Sequence, residues 1–283
     1  MKHSFIVVFL CFFSQLFIMD PTYAQEQEES ELAKINRELE NPLAKRWSLV
    51  FQENFSINQG NLVNGSVTSN TFFFQPALPI PFGNNMVFTA RPVFPLVTAP
   101  DFQKDVTGSS KVTGFGDIQM ATLLGPGNAT GWVWGAGATF VFPTATSENL
   151  GNGKYQAGPA VMIFHLSKTW TKGIFIQQWW SYAGSDTRSD ISRTDLQYIF
   201  RRNFGTWSLG LGPTITINWN AEPENRLTFP VGLGYTRTVR IGKIPVKMRF
   251  EPQYSVFKPN DYGNVWNIRF QFAPVIKSPF IGS

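Results

Sequence analysis

Residues 114–146 constrain the fold more strongly than any other part of the sequence, because their side chains alternate between two chemical types. After a glycine-rich turn, the run 131–142 carries large apolar side chains on one face and glycine or threonine on the other. The apolar set is Trp132, Trp134, Ala136, Ala138, Phe140 and Phe142. A run of about ten residues with aromatic rings at both ends matches a strand that crosses a bilayer at a tilt. The segment predicts a membrane β-hairpin whose neighbours are also strands, because an open sheet edge cannot face lipid.

Twelve extended runs follow one another along the chain. They are 46–57, 67–80, 86–98, 113–124, 131–143, 156–166, 173–184, 191–203, 206–219, 226–241, 245–258 and 265–274. Short turns and longer polar loops connect them, which is typical of a bacterial outer-membrane barrel. We therefore predict an all-β fold, a transmembrane antiparallel up-and-down β-barrel of about 12 strands in the outer membrane of a Gram-negative bacterium. An even strand count places both chain ends in the periplasm, and the loops 58–66, 99–112 and 144–155 outside the cell.

The tryptophans favour a membrane barrel over a soluble one, which alternation alone does not do. The chain has 27 Phe, 9 Trp and 7 Tyr, and every tryptophan falls at or near the end of a predicted strand. Rings at both ends of the strands would form the two aromatic girdles of a membrane barrel.

Several positions predict local irregularities in the barrel wall. Prolines lie inside predicted strands, where each removes a donor from the hydrogen-bond ladder and so predicts a bulge or bend. They are Pro76, Pro92, Pro213, Pro230 and Pro252. Glu53 falls on an apolar face, and the run 173–183 fits either choice of inner and outer face.

The start of the chain has the pattern of a secretory signal peptide, which we assign to residues 1–24. It has a basic start at Lys2, an apolar run at 5–18 and a cleavage site ending at Ala24. Cys11 is the only cysteine and lies in the apolar run, so the mature chain is expected to contain no disulfide.

Residues 25–45 are predicted to form a periplasmic N-terminal segment that contains a short helix. Its apolar residues recur every three or four positions, at Leu32, Ile35, Leu39 and Leu43. We favour a solvated lead-in to the barrel, because short isolated helices are marginal. The alternative is a helix that lies under or inside the barrel. The barrel is assigned to 46–274 and a C-terminal tail to 275–283.

An ordered series of short motifs along residues 41–274 resembles a known family. The pieces are Asn41-Pro42-Leu43-Ala44, Phe51-Gln52-Glu53-Asn54, Gln75-Pro76 with Pro79, Gly114-Phe115-Gly116-Asp117-Ile118, Phe142-Pro143-Thr144-Ala145-Thr146, Gly151-Asn152-Gly153-Lys154-Tyr155-Gln156-Ala157-Gly158-Pro159, Trp180-Ser181-Tyr182-Ala183-Gly184, Asn218-Trp219-Asn220-Ala221, Arg240-Ile241-Gly242-Lys243 and Lys258-Pro259-Asn260-Asp261. Together they resemble the outer-membrane transporters grouped under the MetA-pathway phenol-degradation name. The resemblance implies a membrane β-barrel and a transport function, with no agreed substrate and no catalytic residues.

The reactive side chains give little support to an enzyme. A Ser-His-Asp relay would depend on His165, because His3 lies in the signal peptide. We interpret His165 as an interfacial residue and rank an outer-membrane lipid hydrolase as the least favoured alternative. One cysteine and two histidines offer poor material for a metal site, and no cofactor is expected.

The expected partners are those of an outer-membrane barrel. They are membrane lipid, lipopolysaccharide, the barrel-assembly machinery and a small solute of unknown identity. The net charge is +5 but Lys and Arg form no blocks, so nucleic acid is not expected as a partner.

Charged residues on the polar faces of the strands are expected to line the lumen. They are Arg91, Asp117, Arg193, Asp195, Arg201, Lys247, Arg249, Glu251 and Arg269. The excess of basic residues predicts a mildly positive lumen, which favours passive or facilitated passage of small anionic or polar solutes. The alternative is a salt-bridged, closed barrel with a structural or surface-interaction role, because twelve strands fit a filled or an open interior. A preference for aromatic solutes follows from the resemblance alone.

The last two strands give a specific expectation about pairing. A connecting loop at 259–264 would place position 254 opposite Arg269, so Glu251 is expected out of direct register but within diagonal reach of it. On the alternate faces, Ile215 and Phe270 are expected to face lipid.

Overall fold

The alternating runs form extended strands in the computed structural model of the protein, which describes residues 23–276 except 42, 84, 106, 107, 128 and 129. One helix, α1 (Tyr23–Glu38), precedes the strands. The strands are β1 (Trp47–Gln59), β2 (Val67–Phe82), β3 (Met86–Pro100), β4 (Lys111–Phe115), β5 (Ile118–Pro126), β6 (Gly131–Phe142), β7 (Lys154–Leu166), β8 (Trp170–Gly184), β9 (Ser192–Phe204), β10 (Trp207–Leu211), β11 (Thr214–Asn218), β12 (Leu227–Gly232), β13 (Gly234–Ile241), β14 (Ile244–Phe257) and β15 (Gly263–Ile276). Residues 1–22 of the signal peptide predicted at 1–24, and residues 277–283 of the predicted tail, lie outside the described residues.

The fifteen strands form the twelve barrel-crossing segments of a closed barrel, which we call staves. Three of these staves each consist of two consecutive strands. These pairs are β4 with β5, β10 with β11, and β12 with β13. Each stave pairs antiparallel with its neighbours in sequence, and β15 pairs with both β14 and β1. The predicted antiparallel up-and-down barrel of twelve strands is therefore confirmed.

All five prolines mark irregularities in the barrel wall. Pro213 separates β10 from β11, and the pairing of β12 with β14 shifts register at Pro230. Pro76 and Pro92 lie where the ladder between β2 and β3 is interrupted. Pro252 lies where the ladder of β14 with β12 and β13 is interrupted, although β14 keeps its register with β15 there.

Large apolar side chains cover the outer face of the barrel, as predicted. Trp132 and Trp134 are 66% and 52% exposed, whereas Thr139 on the alternate face of β6 is fully buried. An apolar outer face around a polar interior is the arrangement of a bacterial outer-membrane barrel. Trp179 departs from the girdle pattern, because its side chain is buried and its ring lies 5.6 Å from the guanidinium carbon of Arg193. Among the described residues, no helix is long and apolar enough to span a membrane.

The N-terminal segment packs into the mouth of the barrel at the end that carries the short turns. Leu32 and Ile35 are buried against Val275, and Leu43 is fully buried on the inner face of β5 and β6. Asn36 donates to a carbonyl in the turn between β9 and β10, at 3.2 Å. The solvated lead-in that the sequence favoured is therefore wrong, because the apolar stripe of the segment finds the inner wall of the barrel to pack on.

Candidate functional site

The interior of the barrel has an apolar wall and a charged wall. We call the inward side chains of β5 to β8 the apolar wall. It comprises Ala121, Leu123, Val133, Ala160, Met162, Phe164, Leu166 and Phe175, with Leu43 of the N-terminal segment packed on it. We call a cluster of five charged residues on β9, β14 and β15 the charged wall. It comprises Arg201, Lys247, Arg249, Glu251 and Arg269.

Glu251 is the centre of the charged wall. Its fully buried carboxylate accepts a hydrogen bond from Nε of Arg249 at 3.0 Å and lies 3.6 Å from Nη1 of Arg269. Its other oxygen accepts the backbone N–H of Gly212 at 2.8 Å. Arg249 also donates to the hydroxyl of Thr236 at 2.7 Å. This network supplies the partners that buried charges need, because an unpaired buried charge is costly.

The pairing of β14 with β15 corrects the predicted register. Glu251 lies directly opposite Arg269. The sequence predicted position 254 at that place, with Glu251 three positions away from it. The difference arises because the loop between the strands spans 258–262, a shorter and earlier connection than the predicted 259–264. Direct opposition brings the two side chains into an ion pair without a diagonal reach.

Glu40 adds a second carboxylate to the charged wall from the N-terminal segment, two residues after α1. Its Oε1 accepts from Nζ of Lys247 at 2.5 Å, and its Oε2 accepts from Nη1 of Arg201. Burial opposes ionisation of this carboxyl, but the attraction of Arg201 and Lys247 outweighs it and lowers the pKa of Glu40 to about 2. Glu40 is therefore a charged anchor that joins the N-terminal segment to β9 and β14.

A cavity of about 160 Å³ lies between the two walls and next to Glu40. The apolar wall contributes Leu123, Phe164 and Phe175 to its lining, while Arg91, Arg201, Lys247 and Arg249 provide its basic side. Arg91 reaches the cavity from β3 and donates from Nη2 to Oε1 of Gln75 at 2.7 Å. The cavity therefore combines an apolar side with a strongly basic side.

Cations outnumber carboxylates around this cavity. Its lining contains five cations, Arg46, Arg91, Arg201, Lys247 and Arg249, and one carboxylate, Glu40. The buried Nε atoms of Arg91, Arg201 and Arg269 have no hydrogen-bond partner among the described residues. Even with Glu38 paired to Arg46 and Glu251 paired to Arg249, these groups carry a net positive charge.

The remaining predicted charges lie elsewhere. Arg193 and Asp195 on β9 form an ion pair with N–O distances of 2.6 and 2.9 Å, and Asp195 also accepts from the hydroxyl of Thr216. Asp117 accepts the backbone N–H groups of Ala145 and Asn152, at 3.1 and 2.6 Å. Asp117 thus holds the loop between β6 and β7 and is separate from the charged wall.

Two glycines make room for the arginines. A Cβ atom at Gly212 would lie 2.5 Å from Nη2 of Arg201, and one at Gly234 would lie 2.4 Å from Nη2 of Arg249. Sequence reasoning missed these glycines, Glu40 and Gln75. For Glu40 a signal was present, because it lies inside the apolar stripe of the N-terminal segment and next to the motif that begins at Asn41.

His165 has the surroundings expected of an interfacial residue. Its ring lies 5.0 Å from that of Trp132, which it faces across the pairing of β6 with β7. Over the described part of the chain, no group of three or more His, Cys, Asp or Glu residues is placed to hold a metal ion.

Comparisons with known proteins support the architecture. No protein-family model matches the sequence, and no curated protein matches it significantly. An outer membrane channel from Pseudomonas putida F1 is similar in structure, with a TM-score of 0.64 and 14% identity over 82% of this chain and 96% of that channel. The CymD monoaromatic hydrocarbon channel has a TM-score of 0.40 and 9% identity over 87% of this chain and 92% of its own. The first of these shares the fold of the protein.

Proposed function

We propose that the protein is an outer-membrane channel for passive or facilitated passage of small solutes, and that its N-terminal segment is a plug. One observation carries this proposal. The cavity at the centre of the barrel is closed on one side by the N-terminal segment, whose buried carboxylate, Glu40, pairs with two cations of the charged wall. A segment held inside a barrel by non-covalent contacts, with an ion pair beside the cavity, suits a passage that opens and closes.

The family and the partners of the protein belong to the same proposal. The ordered motifs support membership of the MetA-pathway phenol-degradation transporters, and the similar barrel from Pseudomonas putida F1 is described as a channel. A role in transport requires no catalytic residue and no cofactor. The partners that accompany it are membrane lipid, lipopolysaccharide, the barrel-assembly machinery and a small solute.

A closed barrel with a structural or surface-interaction role is the second candidate. The buried network around Glu251 favours it, because its ion pairs and hydrogen bonds fill the interior near β14 without a solute. Small barrels with filled interiors are common.

Single-channel recording in planar bilayers tests the proposal. We expect small or rare openings in the wild type and larger or more frequent openings in Glu40→Gln, because the neutral amide weakens both contacts to Arg201 and Lys247. Glu38→Gln is the matched control, since Glu38 pairs with Arg46 at 2.5 Å and not with either cation of the charged wall. A folded Glu40→Gln variant that never conducts would favour the closed barrel.

Ion selectivity tests the positive lumen separately. The reversal potential under a potassium chloride gradient should show anion preference, and Arg91→Glu should shift it toward cations. Lys172→Gln is the control, because Lys172 lies over the rings of Trp170 and Phe200 on the outer face of the barrel. An unchanged reversal potential in Arg91→Glu would remove Arg91 from the conducting path.

A further inference from the structure

We propose that Arg201 and Lys247 form a carboxylate-binding site which Glu40 occupies from within the chain, and that a small organic carboxylate with an apolar body enters by displacing Glu40. This inference rests on the proposed channel function and names the class of solute. Displacement of Glu40 by the solute would also make the plug respond to the solute that passes.

The contacts of Glu40 are those that a free carboxylate would make. Its two oxygens are taken by cations from different strands, Arg201 on β9 and Lys247 on β14. Pairs of charge-assisted hydrogen bonds to one carboxylate are strong and directional. The only covalent tie of Glu40 to the barrel is the chain that leads to β1, so the carboxylate can leave while the barrel stays intact.

The site has donors that Glu40 does not use. The Nε atoms of Arg201 and Arg91 are buried and have no hydrogen-bond partner among the described residues. Arg201 is 7% exposed, so bulk water does not satisfy its donor in place of a ligand. Buried polar groups are nearly always paired, and these donors beside the cavity are therefore available to a ligand that enters it. A small anion is the ligand that suits a guanidinium donor.

The opposite side of the cavity fits an apolar body. Phe164 and Phe175 of the apolar wall line the same cavity as Arg201 and Lys247. Its volume is about 160 Å³. An apolar protein cavity of about 150 Å³ is sufficient for benzene. One ring with one carboxylate therefore matches the cavity in size and in the placement of its charge.

The plug competes with the solute at a high local concentration. A carboxylate tethered by a short segment has an effective concentration in the millimolar range. Leu43 and Asn36 hold the same segment independently of Glu40. The solute is therefore expected to bind the wild type weakly, and more tightly once the tethered carboxylate is neutralised.

Calorimetric titration of the full-length protein in detergent with sodium benzoate tests this. Glu40→Gln should bind benzoate about tenfold or more tightly than the wild type, because the competing state is weakened. Glu38→Gln should bind it as the wild type does. Benzamide has the same ring without the charge and should not bind measurably, while acetate lacks the ring and should bind more weakly than benzoate.

Three results would overturn the inference. These are equal binding of benzamide and benzoate, equal affinity of Glu40→Gln and wild type for benzoate, or no benzoate binding to Glu40→Gln. Lys247→Gln removes one of the two cations of the site and should bind benzoate more weakly than the wild type. Potassium chloride conductance of Glu40→Gln without benzoate separates the two proposals. If the variant conducts but does not bind benzoate, the solute class is wrong while the channel function stands.

Discussion

The two halves of the barrel interior differ in the regularity of their strands as well as in their chemistry. The apolar wall is carried mainly by β6, β7 and β8, which run without interruption for 12, 13 and 15 residues. The charged wall lies beside two staves that are interrupted, one between β10 and β11 and one between β12 and β13. The ladder between β7 and β8 shifts register between Tyr155 and Gln156 but is continuous from Ala160 to Leu166, where the apolar side chains need no polar partners.

The interruptions provide partners for the buried charges. Because Pro213 ends the ladder of β10, the backbone of the preceding Gly212 is free to bind side chains. Its N–H donates to Glu251 at 2.8 Å, and its carbonyl accepts from Arg269 at 3.1 Å. A broken stave thus supplies a donor and an acceptor inside a barrel whose regular ladders would use both. Irregular backbone therefore stabilises an ion network in this half of the barrel.

The largest expected effect is on the charged wall. Glu251→Gln leaves Arg249 and Arg269 buried without a full counter-charge, which should lower the free energy of unfolding by about 3–5 kcal/mol. Chemical unfolding in phospholipid vesicles, followed by tryptophan fluorescence, measures this. Asp190→Asn is the control, because Asp190 pairs with Lys154 at the surface and its side chain is 80% exposed. Equal effects of the two changes would mean that the buried network contributes no more than a surface pair.

Leu43 tests the apolar half of the comparison. Leu43→Ala removes a fully buried side chain from the apolar wall, and such truncations cost about 2–5 kcal/mol in protein cores. We expect the loss to appear in the docking of the N-terminal segment, as faster proteolysis of that segment and more frequent channel opening. Leu62→Ala, at a loop residue that is 60% exposed, should change neither. If Leu43→Ala left proteolysis unchanged, the packing of Leu43 would not contribute to docking of the segment.

The outer face should show no such difference between the halves. Ile215 lies on the interrupted side and Val161 on the regular side, and the alternation turns both toward lipid. Replacement of either by Arg should cost about 2–4 kcal/mol if it lies near the middle of the bilayer. Stability in vesicles measures this, with Ile215→Val as the control. An Ile215→Arg variant as stable as the wild type would overturn its assignment to the lipid face.

Most of the barrel could be predicted from the sequence, because apolar and polar side chains alternate along the strands with a period of two. The strand count and the lipid-facing set depend on that period alone. The direction of Trp179 could not be predicted, since its run alternates poorly. The direct opposition of Glu251 and Arg269 depends on the loop length, which the residues around 258–264 do not define. Glu40 was missed because its partners, Arg201 and Lys247, are distant in sequence.

The smallest expected effect concerns pH, and it separates the contribution of Glu40 to docking of the N-terminal segment from that of Leu43. Arg201, Lys247 and Arg249 lower the pKa of Glu40 to about 2, whereas a glutamate free in solvent titrates near 4.3. The contribution of Glu40 to docking is therefore complete above about pH 4.3 and is lost as the pH falls toward 2. Channel opening should be constant from neutral pH to about pH 5 and increase below about pH 4. Glu40→Gln should lack this increase, while Leu43→Ala should retain it from a higher baseline, because the contacts of Leu43 do not titrate. An increase of the same size in Glu40→Gln would assign the pH response to another group.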